Sequence, residues 1–260
     1  MKIITSRDNA LYKTFRKLAG SARERRKSGR TLLDGAHLIG AYREMIGLPE
    51  TVVVAASARE QPEIPALVKG LPPAAQIVLD DALFRELSPV ETPTGVLALI
   101  SVPRLAPPVP PGFSVFLEAI RDPGNLGSIL RSAAAAGVEA AYLSAGCADA
   151  WSPRVLRGGM GAHFVLPIVE GVDLARQARE FPGNVVVTSL QAEKSLYQLD
   201  LSGPVAFVVG NEGAGVSPEL RRAAGAVVTI PMPGAVESLN AAAAAAVCLF
   251  ERVRQVKWPG

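Results

Sequence analysis

Six nearly continuous apolar runs constrain this chain more than any other feature. They are SVFLEAI (114–120), AAYLS (140–144), FVLPIV (164–169), NVVVTSL (184–190), PVAFVVG (204–210) and VVTIPM (227–232). A strand with one wet face alternates apolar and polar residues, so runs without alternation belong to strands buried on both faces. Helical patterns lie between most of them. The order predicts βα alternation, a parallel sheet covered by helices on both sides, and ligand sites beyond the carboxyl ends of the strands. The loops after residues 120, 190, 210 and 232 are therefore where chemistry is expected.

The segment PRLAPPVPPG (103–112) holds five prolines in ten residues, which blocks helix and sheet pairing and favours an extended connector. Ahead of it, TLLD (31–34), TVVVAA (51–56), QIVL (76–79) and GVLALI (95–100) alternate with helical patterns near 36–46 and 81–87, the mark of a small α/β domain. With 260 residues, two domains are expected: 1–105, a linker at 106–112, and 113–260. The longest purely apolar run, AAAAAAVCLF (241–250), is half the ~20 residues of a membrane-spanning helix. The start, MKIITSRDNALYK, lacks the apolar core of a signal peptide, and Cys147 and Cys248 have no metal-ligand spacing. The expectation is a cytoplasmic protein without membrane or metal, using its two thiols as small apolar residues.

Charge is unevenly placed. Residues 1–30 carry ten Lys or Arg against Asp8 and Glu24, a balance of +8, whereas the other 230 residues hold 17 basic and 22 acidic side chains. A polyanion is the natural partner of Lys13, Arg16, Lys17, Arg23, Arg25, Arg26, Lys27 and Arg30, since phosphate neutralisation supplies most sequence-independent nucleic-acid affinity. A plain solvated helix face and a membrane-surface contact are the alternatives on charge alone.

Three loops have more than connecting residues. In RDPGNLGSILRSAAAAG (121–137) a tight turn precedes a helix expected from near Leu126 to Gly137, with Asn125 at its N-terminus and Arg131 one turn beyond Gly127 and Ser128. In VVGNEGAGVSPEL (208–220), Gly210, Gly213 and Gly215 permit close backbone approach, while Glu212 would repel a phosphate and suits a cationic ligand or Arg131. In IPMPGAVESLNAAAAAAVCLFERV (230–253), Ser238 is placed to cap a helix from near Leu239. Six alanines at 241–246 then leave room for another segment or subunit to come close. His37 and His163 read as packed or surface residues, and no GxSxG, HExxH or CxxC occurs.

Asn125, Gly127 and Arg131 as N-x-G-x-x-x-R, then GNEGxG at 210–215, then IPM-P-G and E-S-L-N at 230–240 resemble, in this order, motifs 1, 2 and 3 of the SpoU (TrmH) RNA ribose methyltransferases. ITSRDNALYKTFRKL (4–18) and LLDGAHLI (32–39) resemble that group's N-terminal substrate-binding domain, with Asp34 where Glu is usual. RGGMGAHF (157–164) departs from it, since many relatives have Ser at the position of Gly159.

The resemblance implies an N-terminal, ribosomal-protein-like α/β RNA-binding domain and a C-terminal α/β domain with a parallel sheet and a deep trefoil knot. It further implies S-adenosylmethionine as cofactor, an RNA ribose 2′-hydroxyl as acceptor and a homodimer. Ribosomal RNA of the large subunit is favoured over transfer RNA by analogy. A non-catalytic RNA-binding protein retaining the fold is the rival. Carried onto this sequence, the cofactor lies among Thr188, Ser189, Leu190, Gly210, Asn211, Glu212, Ile230, Pro231, Met232, Ser238, Leu239 and Asn240. Arg131 activates the hydroxyl, Asn125 fixes the ribose or its phosphate, Glu212 orients Arg131 or the donor, and Ser238 and Asn240 order the last loop, that of the knot, and the acceptor phosphate. Because arginine holds its proton, stabilisation of a developing alkoxide by Arg131 is favoured over general-base action. Without the resemblance, an ordinary doubly wound sheet would be expected.

Overall fold

The computed structural model describes residues 1–88, 90, 92–211 and 213–258. They pack as two units: residues 1–103 together with 151–164, and residues 104–150 together with those from 165 onward.

The first unit runs β1 (Lys2–Ile4), α1 (Ala10–Gly20), α2 (Ala22–Ser28), β2 (Arg30–Asp34), α3 (Ala36–Met45), β3 (Thr51–Ala55), α4 (Ile64–Val68), β4 (Gln76–Leu79), α5 (Asp81–Leu87) and β5 (Val96–Ser101). Its sheet has the order β1-β4-β3-β5-β2 and is mixed: β4 is parallel to β1 and β3, while β5 is antiparallel to β3 and β2. The strands fall on the four runs read from the sequence, because all of β3 and nearly all of β2, β4 and β5 are buried. The short edge strand β1 has no such run. Helix α1 starts where Asn9 Oδ1 accepts the N–H groups of Leu11 and Tyr12, and it buries Tyr12, Phe15 and Leu18, one every three residues. That spacing leaves Lys13, Arg16 and Lys17 exposed on the other face.

The second unit contains β6 (Phe113–Leu117), α6 (Pro123–Ala135) and β7 (Ala140–Leu143). Next in the chain comes α7 (Pro153–Gly159), which packs in the first unit. The second unit continues with β8 (Ile168–Glu170), α8 (Leu174–Glu180), β9 (Asn184–Thr188), β10 (Lys194–Ser195), β11 (Val205–Val209), α9 (Pro218–Ala223), β12 (Ala226–Thr229) and α10 (Ala241–Lys257). Its seven-stranded sheet has the order β10-β12-β9-β11-β6-β7-β8, and every pair is parallel. This is the parallel α/β sheet that the unalternating runs imply; β6 and β11 are buried at every position.

Two boundaries differ from the sequence reading. The run 164–169 is not one strand: Ala162–Phe164 is a 3₁₀ turn, Pro167 supplies no N–H, and β8 starts at Ile168. Helix α6 starts at Pro123 and not near Leu126, because Asp122 caps it by accepting the Asn125 N–H and proline fits the first helical position. Residues 151–164, beyond the proline-rich segment in sequence, put Leu156 and Phe164 into the core of the first unit. There Arg157 donates to the buried carboxylate of Asp34 at 2.9 Å and Thr94 donates to its other oxygen at 2.7 Å. No described helix is long and apolar enough to cross a membrane.

Candidate functional site

Strands β12, β9, β11 and β6 are consecutive neighbours, so the loops leaving the carboxyl ends of β9, β11 and β12 converge. Together with the start of α10 they enclose a cavity of about 260 Å³. The structure brings around it Thr188, Ser189 and Leu190 from the first loop, Gly210 and Asn211 from the second, and Ile230, Met232, Ser238, Leu239 and Asn240 from the third. Pro231 is exposed and does not line it, and Glu212 lies outside the described residues. Val209, Gly215, Val216, Thr229, Ala241 and Ala244 also line it. Strand-end residues such as Val209 and Thr229 look like ordinary core residues in a sequence. No charged side chain faces the cavity among the described residues.

The second loop is held partly by its own bonds and partly by the turn after β6. A Cβ on Gly210 would stand 2.4 Å from the backbone carbon of Gly215, so glycine is required there by the loop's own return path. Asn211 and Gly215 exchange both backbone hydrogen bonds, at 3.0 and 2.9 Å, and Gly215 takes the left-handed conformation at φ 69. Asn211 Oδ1 accepts the N–H groups of Gly213 and Ala214, while its Nδ2 donates to the Ala119 carbonyl at 2.9 Å. At the far end, Ser217 N–H donates to Glu118 Oε2 at 2.7 Å. Glu118 and Ala119 escaped the sequence reading because only their contacts, formed across about a hundred residues, distinguish them.

The third loop ends in a cap other than the expected one. Asn240, not Ser238, is the N-cap of α10, its Oδ1 accepting from Ala242 and Ala243, so the helix begins at Ala241 and not near Leu239. Pro233, Gly234 and the exposed residues 235–239 remain irregular because Asn240 can reach two helical N–H groups and Ser238 lies too far ahead of them. Asn240 Nδ2 also donates to Asn125 Oδ1 at 2.9 Å, which ties the cavity rim to the first turn of α6. Helix α10 packs along α6, and Asn240, just ahead of the alanine-rich stretch, meets Asn125 there. On α6, Asn125, Ser128 and Arg131 follow at intervals of three, half-buried, exposed and exposed. Arg131 has no hydrogen bond or ion pair among the described residues.

The basic arm divides into three groups. Arg16, Lys17, Arg23, Arg26 and Lys27 are exposed on α1 and α2. Lys13 pairs with Asp8 at 2.9 Å, and half-buried Arg30 pairs with Glu50 at 3.2 Å. Arg25 corrects the expectation of an outward-facing charge: it is 5% exposed and donates to the Leu18 and Ala19 carbonyls at the end of α1. Those carbonyls lack intrahelical partners, and a guanidinium satisfies them. Near this arm, Tyr12 and Arg7 both donate to the Glu86 carboxylate. The Arg7 bond holds Glu86 below the usual carboxylate range, whereas burial, then Glu86, pushes the Tyr12 hydroxyl up to about 12.

His163 is buried edge-on against Trp151, with ring centroids 5.2 Å apart, and His37 is exposed. Burial pushes the Cys248 thiol up to about 12, and Cys147 is raised for the same reason, as suits packing groups rather than nucleophiles.

An all-parallel sheet whose strand-end loops form a cavity with no charged side chain among the described lining residues is the arrangement of α/β proteins that take small ligands at their strand ends. Comparison with known proteins makes this specific. The sequence profile of the SpoU rRNA Methylase family matches residues 112–250, and the chain belongs to that family. It is 32% identical to the 23S rRNA (guanosine(2553)-2'-O)-methyltransferase RlmP of Bacillus subtilis, over 96% of this chain and 98% of that protein. It is 33% identical to an uncharacterized tRNA/rRNA methyltransferase of Synechocystis, over 97% and 93%. The crystal structure of the SpoU methyltransferase AviRb from Streptomyces viridochromogenes, in complex with AdoMet, superposes with a TM-score of 0.84 at 30% identity, covering 95% of this chain and 98% of that one.

Proposed function

We propose that this protein methylates a ribose 2′-hydroxyl in RNA, with S-adenosylmethionine as donor and large-subunit ribosomal RNA as the substrate class. One observation carries the reading. The cavity formed by the three strand-end loops is joined, through the Asn240–Asn125 hydrogen bond, to the helix that presents Arg131. Donor loops and a cation without a carboxylate partner among the described residues thus belong to one assembly. Relatives named as 23S rRNA methyltransferases favour ribosomal over transfer RNA.

The residues around the cavity fit a nucleoside with an amino-acid tail. Leu190, Val209, Met232 and Leu239 offer apolar surface for a base, while Thr188, Ser189, Asn211, Thr229 and Ser238 offer hydroxyl and amide groups for ribose and tail. The bound donor supplies an electrophilic sulfonium methyl. The chain has to position the acceptor oxygen in line with it and stabilise the charge that oxygen develops as its proton passes to solvent. Arg131 meets the second need, since its charge and fixed donors are available to an oxyanion and it has no carboxylate partner among the described residues. Asn125, held by Asn240, orients the ribose or its phosphate, and Ser238 contacts donor or acceptor at the rim. Glu212 would orient Arg131 or the donor. Arg16, Lys17, Arg23, Arg26 and Lys27 hold RNA phosphates.

The same reading includes a C-terminal trefoil knot, to which the small side chains of 241–246 are suited, action in the cytoplasm, and a homodimer. Support for the dimer is the exposed apolar surface of α10, where Phe250 is 47% exposed, whereas Leu249 is buried within the chain. Sedimentation should give about twice 27.2 kDa. The deciding experiment for the activity is ribose-methylation mapping of ribosomal RNA from cells with and without the gene, followed by in vitro restoration of the missing methyl group. RNA that loses no methyl group, together with a purified protein that binds no S-adenosylmethionine, would overturn the reading in favour of a non-catalytic RNA-binding protein.

A further inference from the structure

The turn between β6 and α6 contains two residues to which the mechanism above gives no role. Glu118 is half-buried at the end of β6; its N–H donates to the Val209 carbonyl at 2.9 Å and its carboxylate accepts the Ser217 N–H at 2.7 Å. Ala119 follows in the left-handed region at φ 53, a conformation unfavourable for a residue with a Cβ. That conformation is held by its N–H donating to Ser144 Oγ at 2.9 Å and by its carbonyl accepting from Asn211 Nδ2 at 2.9 Å. These two residues therefore hold the loop 210–217 at both ends, through Asn211 and Ser217. Three positions later Asp122 caps the helix that presents Asn125 and Arg131.

The loop needs such a hold. Strand β11 ends at Val209 and α9 begins at Pro218, so sheet register fixes neither the intervening backbone nor the cavity wall formed by Gly210, Asn211 and Gly215. A carboxylate accepting a main-chain N–H is a charge-assisted bond, stronger than a neutral one. In-line transfer is sensitive to displacements of an ångström, and a loose loop would lose that alignment.

We propose that Glu118 is a positioning residue for methyl transfer: by holding the Ser217 N–H it keeps the donor-side loop 210–217 in register with the helix that bears Arg131. Glu118 is not among the residues that line the cavity. The role rests on the methyltransferase reading.

Three variants of the full chain test it. Glu118→Ala is expected to lower the single-turnover methylation rate roughly 10- to 100-fold and to weaken S-adenosylmethionine binding several-fold, with RNA affinity unchanged. Glu118→Gln keeps an oxygen acceptor at the same reach and should recover to within about threefold of wild type. Glu118→Asp, one methylene shorter, should stay close to the alanine variant. Amide exchange at Ser217 gives an independent readout: protection is lost in Glu118→Ala and retained in Glu118→Gln. A carboxylate with only a structural role would reduce the folded fraction and leave the rate of that fraction intact. Should Glu118→Ala fail to fold, the Gln and Asp variants decide. Equal rates in those two, or a folded Glu118→Ala with wild-type rate and donor affinity, overturn the proposal. An active wild type beside an equally active alanine variant removes the role of Glu118 alone, whereas a wild type that binds no donor removes the methyltransferase reading itself.

Discussion

The two units carry surfaces of different chemical character. In the second unit the cavity lies at the ends of an all-parallel sheet and is lined by backbone, hydroxyl, amide and apolar groups, with no charged side chain among the described lining residues. In the first, the sheet is mixed, and α1 and α2 turn six cationic side chains to solvent, of which Lys13 is paired with Asp8. A concave site whose described lining carries no charge selects a ligand by shape and by a few directed hydrogen bonds, so ionic strength affects it little. An open cationic face attracts any polyanion, and its grip falls with salt as condensed counterions are released. On the proposed reading, selectivity for the small molecule and capacity for the large one would belong to different units.

The largest expected effect sharpens this contrast within the second unit. Arg131→Ala should lower methyl transfer by roughly 100-fold or more while donor affinity stays within about threefold, because Arg131 lies on α6 and outside the cavity lining. Single-turnover kinetics and calorimetry separate the two quantities, and an unchanged rate would remove Arg131 from the mechanism. Gly210→Ala should act in the other direction. Its Cβ meets the Gly215 backbone, so donor affinity should fall roughly tenfold and RNA affinity should hold. Equal losses of both would mean that the two recognition surfaces are not independent.

The triple reversal Arg23→Glu, Arg26→Glu, Lys27→Glu should weaken RNA binding roughly tenfold near 100 mM salt and reduce the salt slope by about two to three, leaving donor affinity alone. Arg25→Ala is its control. It lies between those positions but faces inward, so it should cost about 2 kcal/mol of stability in denaturant titrations and leave the salt slope nearly unchanged. A slope that changes as much for Arg25→Ala as for its neighbours would return it to the phosphate-binding set.

The smallest effect concerns pH. The Tyr12 hydroxyl has a folded pKa of about 12 against an ordinary 10.0. Between these values the native state keeps a proton that the unfolded chain loses, so stability declines as pH rises through that window and is unaffected below it. Tyr12→Phe should flatten the decline in alkaline melting curves. Donor binding by the second unit should show no matching change.

A fragment beginning near Gly112 would test the domain boundary read from sequence order. The prolines of 103–112 read as a boundary between separable halves, yet Leu156 and Phe164 belong to the core of the first unit. Such a fragment would leave both without the packing they have in the whole chain.

What the sequence determined by itself was what local composition encodes. Unalternating apolar runs must be buried on both faces, which gives the parallel sheet, and loops at strand ends rich in glycine, proline and asparagine must leave the ladder, which gives the neighbourhood of the cavity. The charge of the arm is a sum over side chains and is readable in the same way. Only tertiary structure decided which of equivalent residues does what. Arg25 faces inward because α1 ends with unpaired carbonyls beside it, and Asn240 rather than Ser238 caps α10 because it reaches two helical N–H groups and Asn125 together. Glu118 and Ala119 acquired their contacts from partners 99 and 92 positions away. Periodicity reports the environment of a residue within its own element, whereas a hydrogen bond between elements depends on where the chain returns, and no local pattern carries that information.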